Sequence, residues 1–359
     1  MSIPVELIFN PNWWFRNYGI SFDRPFYFDR ETRVRNDLLM RRVMRERFGL
    51  GEPDYQPRPV VGSMYVAGGF LLPALLGVDI RFAANQAPWP VDRWMSRDEI
   101  LALTPPEIES TWPMDLLIAD MDGLEKEFGY LAGDFDTDSV LNTALHLRGQ
   151  TLFLDMIDDP AVADHAFSVI AETQSRVARY VKSRTGTNSV SVNRSILNVD
   201  RGIYLHSNCT VQMISPALYE RTLLPYERRL AGELSPYGIH HCGHNLHRFA
   251  KAYSTLPLAF CDVGWGSDVA RVRNDLPGVF LNLRLSPVRM LRERPPAIRH
   301  DVETLLAGAG STRGVGLCAI NMDYGTPDAN VLALLDAARG AGGNTFSPRS
   351  IHVDHPEPT

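Results

Sequence analysis

The residues with the clearest capacity for chemistry lie in one short stretch, YGIHHCGHNLH, at residues 237–247. If this stretch is a strand, alternate side chains share a face, so His240 and Cys242 point one way and His241 points the other way. An imidazole nitrogen and a sulfur are ligands that zinc favours, but these two alone do not hold the ion. Cys318, in the segment GVGLCAI, would supply a third ligand from another strand end. Three protein ligands with one open position are typical of a catalytic zinc.

The same residue types also have an ordinary structural interpretation. Free cysteine is among the most buried residue types, so a cysteine on a strand is often a core residue. We expect this of Cys209 and Cys261, since Cys261 lies inside the apolar run LAFCDV. His244 and His247 follow the cluster on a helix, where exposed or capping roles are expected. Spacing alone leaves the zinc site and the buried core as open alternatives.

Such ligands need a scaffold that brings several strand ends together. From about residue 128 short apolar runs alternate with helical stretches, which indicates parallel βα units. The expected strands are NSVSV, GIYLH, YGIHHC, LAFCDVG, VFLNLRLSP and GVGLCAI. Polar residues at their carboxyl ends favour a closed (β/α)8 TIM barrel with the active site at that rim. An open doubly wound sheet is the alternative, although no G-x-G-x-x-G or P-loop follows an early strand.

The sequence divides into three parts on this interpretation. Residues 1–60 are an N-terminal extension packed on the barrel, with an aromatic opening and an amphipathic helix in ETRVRNDLLMRRVMRERFG. Residues 61–342 form the TIM-barrel domain, in which Pro225 is expected to kink the helix of SPALYERTLLPYERRLAGEL. Residues 343–359 are polar and contain prolines, so we expect a loose tail.

Further polar and aromatic residues are candidates for the rim. Asp134 and Asp136 follow GYLAG, and each could instead cap a helix or pair with a neighbour. The candidates for catalysis, each at or just beyond the end of a predicted strand, are His206, Asn208, Asp262 and Arg284. The candidates for substrate binding are Trp14, Arg16, Tyr18 and His241. The aromatic ones among them could cover an apolar substrate or simply pack the N-terminal arm.

Composition excludes several classes of protein. With 45% hydrophobic and 22% charged residues, the chain has the profile of a globular protein. Its net charge of −6 leaves no basic surplus for a phosphate backbone, which argues against nucleic acid as the main partner. No apolar run of about 18 residues is present, so we expect no membrane-spanning helix. The opening residues lack a signal-peptide pattern and four cysteines are too few for a disulfide framework, so a cytoplasmic protein with reduced thiols is expected.

Several segments resemble the uroporphyrinogen decarboxylase-like superfamily. The resemblance runs from Tyr204 to Asn330 through ISPALYERTLLPYERRL, HHCG and GTPDANV, and PALLGVDIRF and WWFRNYG are similar to upstream family segments. The combination of H-x-C-G with a later cysteine is the more specific signal. It resembles the zinc site of the cobalamin-dependent methyltransferase branch, which implies His240, Cys242 and Cys318 as the ligands.

The chain departs from the decarboxylase branch at two positions. Members of that branch carry R-Q-A-G-R near the N-terminus, and its arginines receive substrate carboxylates. Here the stretch is RNYGI, in which Arg16 and Gly19 remain and Ile20 replaces the second arginine. Aligning PALLG from Pro73 places Gly68 where the key aspartate is expected. Because no anion would then hold the pyrrole N–H groups, we expect no decarboxylation of uroporphyrinogen.

The resemblance implies a zinc-dependent methyltransferase that works with a corrinoid. One kind of such enzyme moves a methyl group from a small-molecule donor, such as an aryl methyl ether or a methylated amine, to cob(I)alamin. The other kind moves it from methylcobalamin to a thiol such as coenzyme M. The D-x-H-x-x-G motif of corrinoid-binding domains is matched by neither DHAFSV nor DHPEPT, so a separate corrinoid protein is the expected partner. The alternatives are a decarboxylase or lyase on the same barrel and a non-catalytic zinc-binding barrel.

Overall fold

A parallel sheet forms the centre of the molecule. The structure is a computed structural model that describes residues 3–51, 53–62, 69–91, 94–186, 190–191, 194–195 and 202–341. The strands are β1 (Val5–Phe9), β2 (Ile80–Ala83), β3 (Gln86–Pro90), β4 (Val190–Ser191), β5 (Arg194–Ser195), β6 (Tyr204–Ser207), β7 (Tyr237–His241), β8 (Leu258–Val263), β9 (Phe280–Leu285) and β10 (Val315–Met322). The main sheet has the order β1-β10-β9-β8-β7-β6 with every pair parallel, so the carboxyl ends share one edge.

Helices separate the strands along the chain and supply much of the core. They are α1 (Pro11–Tyr18), α2 (Arg24–Phe28), α3 (Arg30–Phe48), α4 (Leu71–Leu75), α5 (Arg97–Leu101), α6 (Met114–Phe128), α7 (Val140–Arg148), α8 (Thr151–Asp158), α9 (Pro160–Thr185), α10 (Pro216–Thr222), α11 (Leu224–Glu233), α12 (Ala250–Tyr253), α13 (Val269–Asp275), α14 (Pro287–Arg292), α15 (Pro295–Ala309) and α16 (Asp328–Ala341). The kink predicted at Pro225 is a full break between α10 and α11. Pro225 lies in the first turn of α11, where a missing N–H leaves no helical bond unmade.

The strands predicted from GIYLH through GVGLCAI are confirmed as β6 to β10. Most of their residues are buried, as expected for parallel strands that are covered on both faces. The described part of NSVSV is β4, which is not part of this sheet and pairs antiparallel with β5 as a separate two-stranded ladder.

The predicted closed barrel is confirmed only as a TIM-barrel-like α/β fold. In the described part of the chain the main sheet has six strands. Val60 and Ala132 form a parallel bridge outside the named strands, and the N–H of Val61 donates to the carbonyl of Ala132 at 2.8 Å. Gly62 permits this approach, because a Cβ there would lie far closer than 3.0 Å to the backbone oxygen of Asp134.

The N-terminal segment packs in the same core as the sheet. β1 forms one edge of the sheet and pairs with β10, although no strand is predicted there from the sequence. Trp13 of α1 stacks on the phenylalanine of β1 with ring centroids 3.9 Å apart. Arg47 of α3 makes hydrogen bonds of 2.7 and 2.8 Å to Asp328 of α16. This contact ties the N-terminal segment to α16.

Two predictions fall on parts of the chain that the structure leaves out. The tail expected at residues 343–359 lies outside the described residues, and so does Gly68. Among the described residues, no helix is both long enough and apolar enough to cross a bilayer.

Candidate metal centre

Three side chains with metal-binding atoms converge at the carboxyl edge of the sheet. His240 lies near the end of β7, Cys242 follows that strand directly, and Cys209 lies in the turn after the neighbouring β6. Nε2 of His240 is 2.7 Å from Sγ of Cys242, and Sγ of Cys209 is 3.0 Å from Sγ of Cys242. All three atoms lie within 4.8 Å of one another, and no other such group occurs among the residues that the structure describes.

Strand alternation and two glycines build this convergence. Ser207 of β6 is in register with His240, so the turn that carries Cys209 lies beside the end of β7. Gly243 follows the cysteine of β7, and a Cβ there would be 2.6 Å from Oε1 of Gln212. A Cβ on Gly264, after β8, would lie far closer than 3.0 Å to the backbone oxygens of residues 241–243. The loops around the cluster therefore pack backbone against backbone.

A buried hydrogen-bond chain fixes the ring of His240. Nδ1 donates to Oδ2 of Asp262 at 2.6 Å. The side-chain amide of Asn282 donates to Oδ1 of Asp262 at 2.9 Å and to Oε2 of Glu6, on β1, at 3.1 Å. All four residues are buried. A carboxylate behind a histidine in this way sets the tautomer and leaves Nε2 to bind a metal ion. Asp262, predicted as catalytic, is thus placed to position His240.

The charges in the cluster favour a thiolate at Cys242. A hydrogen bond from the Cys209 thiol lowers the pKa of Cys242 well below its ordinary value, and the charges of His240 and Arg284 act in the same direction. The same hydrogen bond raises the pKa of Cys209. Burial alone would lower the pKa of His240, but the Cys242 thiolate and Asp262 raise it overall. The anionic form of a cysteine is the one that binds metals.

These donors fit zinc in type and need a small adjustment in spacing. Zinc takes sulfur ligands at about 2.3 Å and histidine nitrogen at about 2.0 Å in a tetrahedral arrangement. On one such ion two sulfurs are about 3.8 Å apart, and a sulfur and a nitrogen are about 3.5 Å apart, so the Cys242 sulfur would have to separate by about 0.8 Å both from Cys209, now at 3.0 Å, and from His240, now at 2.7 Å. Cys209 and Cys242 both lie just beyond the end of a strand, where the backbone can adjust more easily than within a strand.

The structure brings together only part of the predicted ligand set. His240 and Cys242 meet as expected, but Cys318 is not a member of the three-residue group. Cys318 lies on β10, three places from β7 in the sheet, and is buried with Ile8 and Ile320. Cys209, which we expected to be an ordinary core residue, is the third member of the group. Its strand is adjacent to β7, and adjacent strands lie about 4.8 Å apart.

Arg284 and an acidic loop surround the cluster. Nη1 of Arg284, a predicted catalytic residue, lies 3.5 Å from Nε2 of His240 and is buried. Asp138 lies close enough to Cys242 to feel its charge, and burial followed by repulsion from Asp136 raises its pKa well above the ordinary value. The sequence analysis named Asp134 and Asp136 but not Asp138. The signal was present in the spacing of the acidic run GDFDTD.

Three other predicted site residues face the helices rather than the cluster. His206 lies 3.7 Å from Oε1 of Glu227, and burial lowers its pKa to about 3. The amide of Asn208 donates to the same carboxylate oxygen at 2.9 Å. His241 contacts the hydroxyl of Tyr253 at 2.9 Å, and burial lowers its pKa to about 4. Both histidines are therefore neutral at pH 7 and belong to a polar network behind the strands.

The predicted residues of the N-terminal arm are divided between core and surface. Trp14 is fully buried, and the hydroxyl of Tyr18 accepts a hydrogen bond from Arg47 at 3.0 Å, so both pack the arm. Arg16 is exposed, and its guanidinium lies 5.9 Å from the ring centre of Tyr324, just beyond the end of β10. Of this group, Arg16 alone reaches a loop at the carboxyl edge.

Comparison with known proteins now adds a family to this geometry. The family model described as Uroporphyrinogen decarboxylase (URO-D) matches residues 68–341. A methyltransferase from Methanosarcina mazei has a similar structure, with a TM-score of 0.68, 13% sequence identity and 94% of each chain covered. The structure of a B12-independent methionine synthase from Shewanella sp. W3-18-1 is also similar, with a TM-score of 0.47, 11% identity, and 94% of this chain and 97% of that chain covered.

At such low identity the structural likeness to the methyltransferase establishes the fold and not the reaction. The sequence matches no curated relative. The family model, in contrast, spans far more than half of the sequence and includes every member of the cluster. The chain therefore belongs to the uroporphyrinogen decarboxylase family.

Proposed function

We propose that this protein is a zinc-dependent methyltransferase that moves a methyl group between a small-molecule donor or a thiol acceptor and a corrinoid held by a separate protein. The observation that carries the proposal is the setting of His240, with Asp262 behind it and the Cys242 sulfur in front of it. A carboxylate–histidine pair next to a thiolate is a common zinc-binding arrangement. The fold shared with the methyltransferase from Methanosarcina mazei supports this choice within the family.

Different residues would bind the ion, orient the histidine ligand and compensate the charge of the site. His240 and Cys242 would hold the ion, and Asp262 keeps Nδ1 protonated so that the lone pair of Nε2 is free. Zinc bound there would act as a Lewis acid on an ether oxygen or hold a thiol as its thiolate. Arg284, beside His240, would offset the negative charge that thiolate ligands bring into a buried site.

The location of the cluster supports delivery of the corrinoid by a partner. His240 and Cys242 lie where β7 ends, at the edge of the sheet that carries active sites in barrel enzymes. The two Asp-His pairs of the chain, in DHAFSV and DHPEPT, lack the spacing of a corrinoid-binding motif. The corrinoid protein would therefore dock transiently over this edge. A site built on thiolates also needs reduced cysteines, which supports a cytoplasmic location.

We further infer that the sheet closes into an eight-stranded barrel. The segments of Val60 and Ala132, already bridged in parallel, would fill the two places between β1 and β6. On this inference the barrel domain at 61–342 takes its remaining strand from the N-terminal segment. The rest of residues 1–60 forms the packed extension.

Family membership favours a second candidate, a decarboxylase or lyase on the same fold. Porphyrinogen decarboxylation would need a cation where the chain has Ile20. That side chain is apolar and only 3% exposed, so it offers nothing to a substrate carboxylate. We therefore rank methyl transfer first.

The test combines metal analysis with cobalamin spectroscopy. Purified protein should hold about one zinc per chain. It should change the cobalamin spectrum with cob(I)alamin and a methyl donor, or with methylcobalamin and a thiol, when a corrinoid protein is supplied. Cys242→Ala should lose both properties, whereas Cys261→Ala, whose sulfur packs in the helix-facing core, should keep them. Absence of zinc-dependent turnover in both directions would rule out the assignment.

A further inference from the structure

We propose that Cys209 is a protein ligand of the metal ion at this site. The inference rests on the proposed function, because it concerns the same ion, but it changes the ligand set. The resemblance at the sequence level implies His240, Cys242 and Cys318, and it gives Cys209 no role. The structure instead places the sulfur of Cys209 against that of Cys242.

The position of Cys209 is built by contacts on both sides of it. The N–H of Asn208 donates to the carbonyl of His240 at 2.7 Å, which holds this turn to the end of β7. The N–H of Thr210 donates to Oδ1 of Asn142 at 3.0 Å, and the N–H of Cys209 itself donates to the carbonyl of Ser207 at 2.9 Å. The backbone before, at and after the cysteine is thus anchored, and the sulfur faces the cluster.

The contact between the two sulfurs is the kind that a metal ion replaces. Sγ of Cys209 lies at hydrogen-bond distance, 3.0 Å, from Sγ of Cys242, and Nε2 of His240 lies 2.7 Å from the same Cys242 sulfur. Three soft or borderline donors are thus directed at one small volume, with all atoms within 4.8 Å. A divalent ion that displaces both protons, the one shared by the two sulfurs and the one shared by Nε2 of His240 and Cys242, would leave all three atoms free to bind it.

Cys318 differs in its surroundings. It is in register with Arg284 on β9, and its charge would act on that guanidinium. It also packs with Ile8 and Ile320 in a small apolar cluster. Cys318 is fully buried, whereas Cys209 and Cys242 are only partly buried. Of Cys318 and Cys209, Cys209 is therefore the one that is partly exposed and has its sulfur in contact with that of Cys242.

The experiment is X-ray absorption spectroscopy of the zinc-loaded, full-length protein. It counts the sulfur atoms at about 2.3 Å from zinc in the wild type and in Cys209→Ala, Cys318→Ala and Cys261→Ala. We expect Cys209→Ala to have one sulfur fewer than the wild type and to bind zinc at least tenfold more weakly. Cys261→Ala should match the wild type in both measurements.

The outcomes separate this inference from the function proposed above. If Cys209→Ala binds zinc with an unchanged number of sulfurs, the inference is wrong, although the methyltransferase can still stand. If the wild type binds no zinc, the proposed function is wrong, and the inference about Cys209 is wrong with it. Should Cys209→Ala not fold, alkylation of the wild type by iodoacetamide decides the matter, since zinc must protect Cys209 relative to the zinc-free protein. Equal labelling with and without zinc would overturn the inference.

Discussion

Asp262 holds the ring of His240, the proposed metal ligand, from behind. The 2.6 Å hydrogen bond between them fixes which ring nitrogen faces the thiolate. Asp262→Asn should therefore weaken zinc binding by about 10- to 100-fold, because an amide holds the ring and raises its basicity less well. Competition with a chromophoric chelator measures this. Glu303→Gln, on an exposed face, is the matched control and should bind zinc like the wild type.

Glu227 makes the stability of the protein depend on pH. Burial raises the pKa of its carboxyl to about 7, above its ordinary value of 4.5, against hydrogen bonds from Tyr219 and Asn208 that lower it. The folded state therefore retains a proton that the unfolded chain releases. The free energy of unfolding should fall as pH rises from about 4.5 to 7, by an amount on the order of 3 kcal/mol from this group.

Glu227→Gln should remove this part of the slope, because an amide does not titrate. Urea titrations at pH 5, 6, 7 and 8 would show the variant gaining stability relative to the wild type up to about pH 7 and holding that gain above it. A difference that stays constant across this range would contradict the assignment.

At the residue scale, the sequence predicts which side chains of a single strand share a face. His240 and Cys242 were predictable because alternation along a strand decides which side chains share a face. The contact of Cys209 with Cys242 was not predictable, because it depends on the register of β6 with β7 and on a turn that no local sequence pattern specifies. His206 and Asn208 were assigned to the rim for their position at a strand end, but their side chains face α9 and α11 instead.

At the scale of elements, close backbone packing around the site depends on Gly264. A Cβ there would press on the carbonyl oxygens that follow β7. Gly264→Ala should cost roughly 1–3 kcal/mol of stability and weaken zinc binding, since the loop of Cys242 has to move. Chemical denaturation and chelator competition test both effects. Gly278→Ala is the control, since a Cβ there meets nothing within 4 Å, and loss of stability in both variants alike would contradict this explanation.

Elements with long buried runs and clear boundaries were the predictable ones. β6 to β10 were predictable because apolar runs ended in polar residues at a regular spacing. β1 was missed because its five residues stand next to an aromatic segment that suggested a packed arm. Pairing with β10 makes those residues a strand, and that partner comes from the opposite end of the sequence. Closure of the barrel depends on such distant pairings as well.

At the scale of the whole molecule, family membership and residue chemistry point to different reactions. We expect the protein not to decarboxylate uroporphyrinogen, because the buried Ile20 provides no cation for a substrate carboxylate. Anaerobic incubation followed by chromatography of the oxidised porphyrins would measure this. Products with fewer carboxyl groups, formed at an enzymatic rate, would show that the N-terminal arm was compared with the family incorrectly.

The pairing of β1 with β10 also sets the order of events during synthesis of the protein. About 300 residues separate these two strands. Because a ribosome adds about 5–20 residues per second, β10 is synthesised on the order of 15–60 s after β1. Glu6 of β1 is one end of the hydrogen-bond chain that leads through Asn282 to the carboxylate behind His240. The pairing that fixes Glu6 at the far end of this chain of hydrogen bonds therefore forms only when nearly all of the protein has left the ribosome, whereas the bond between Asp262 and His240 joins neighbouring strands and can form earlier.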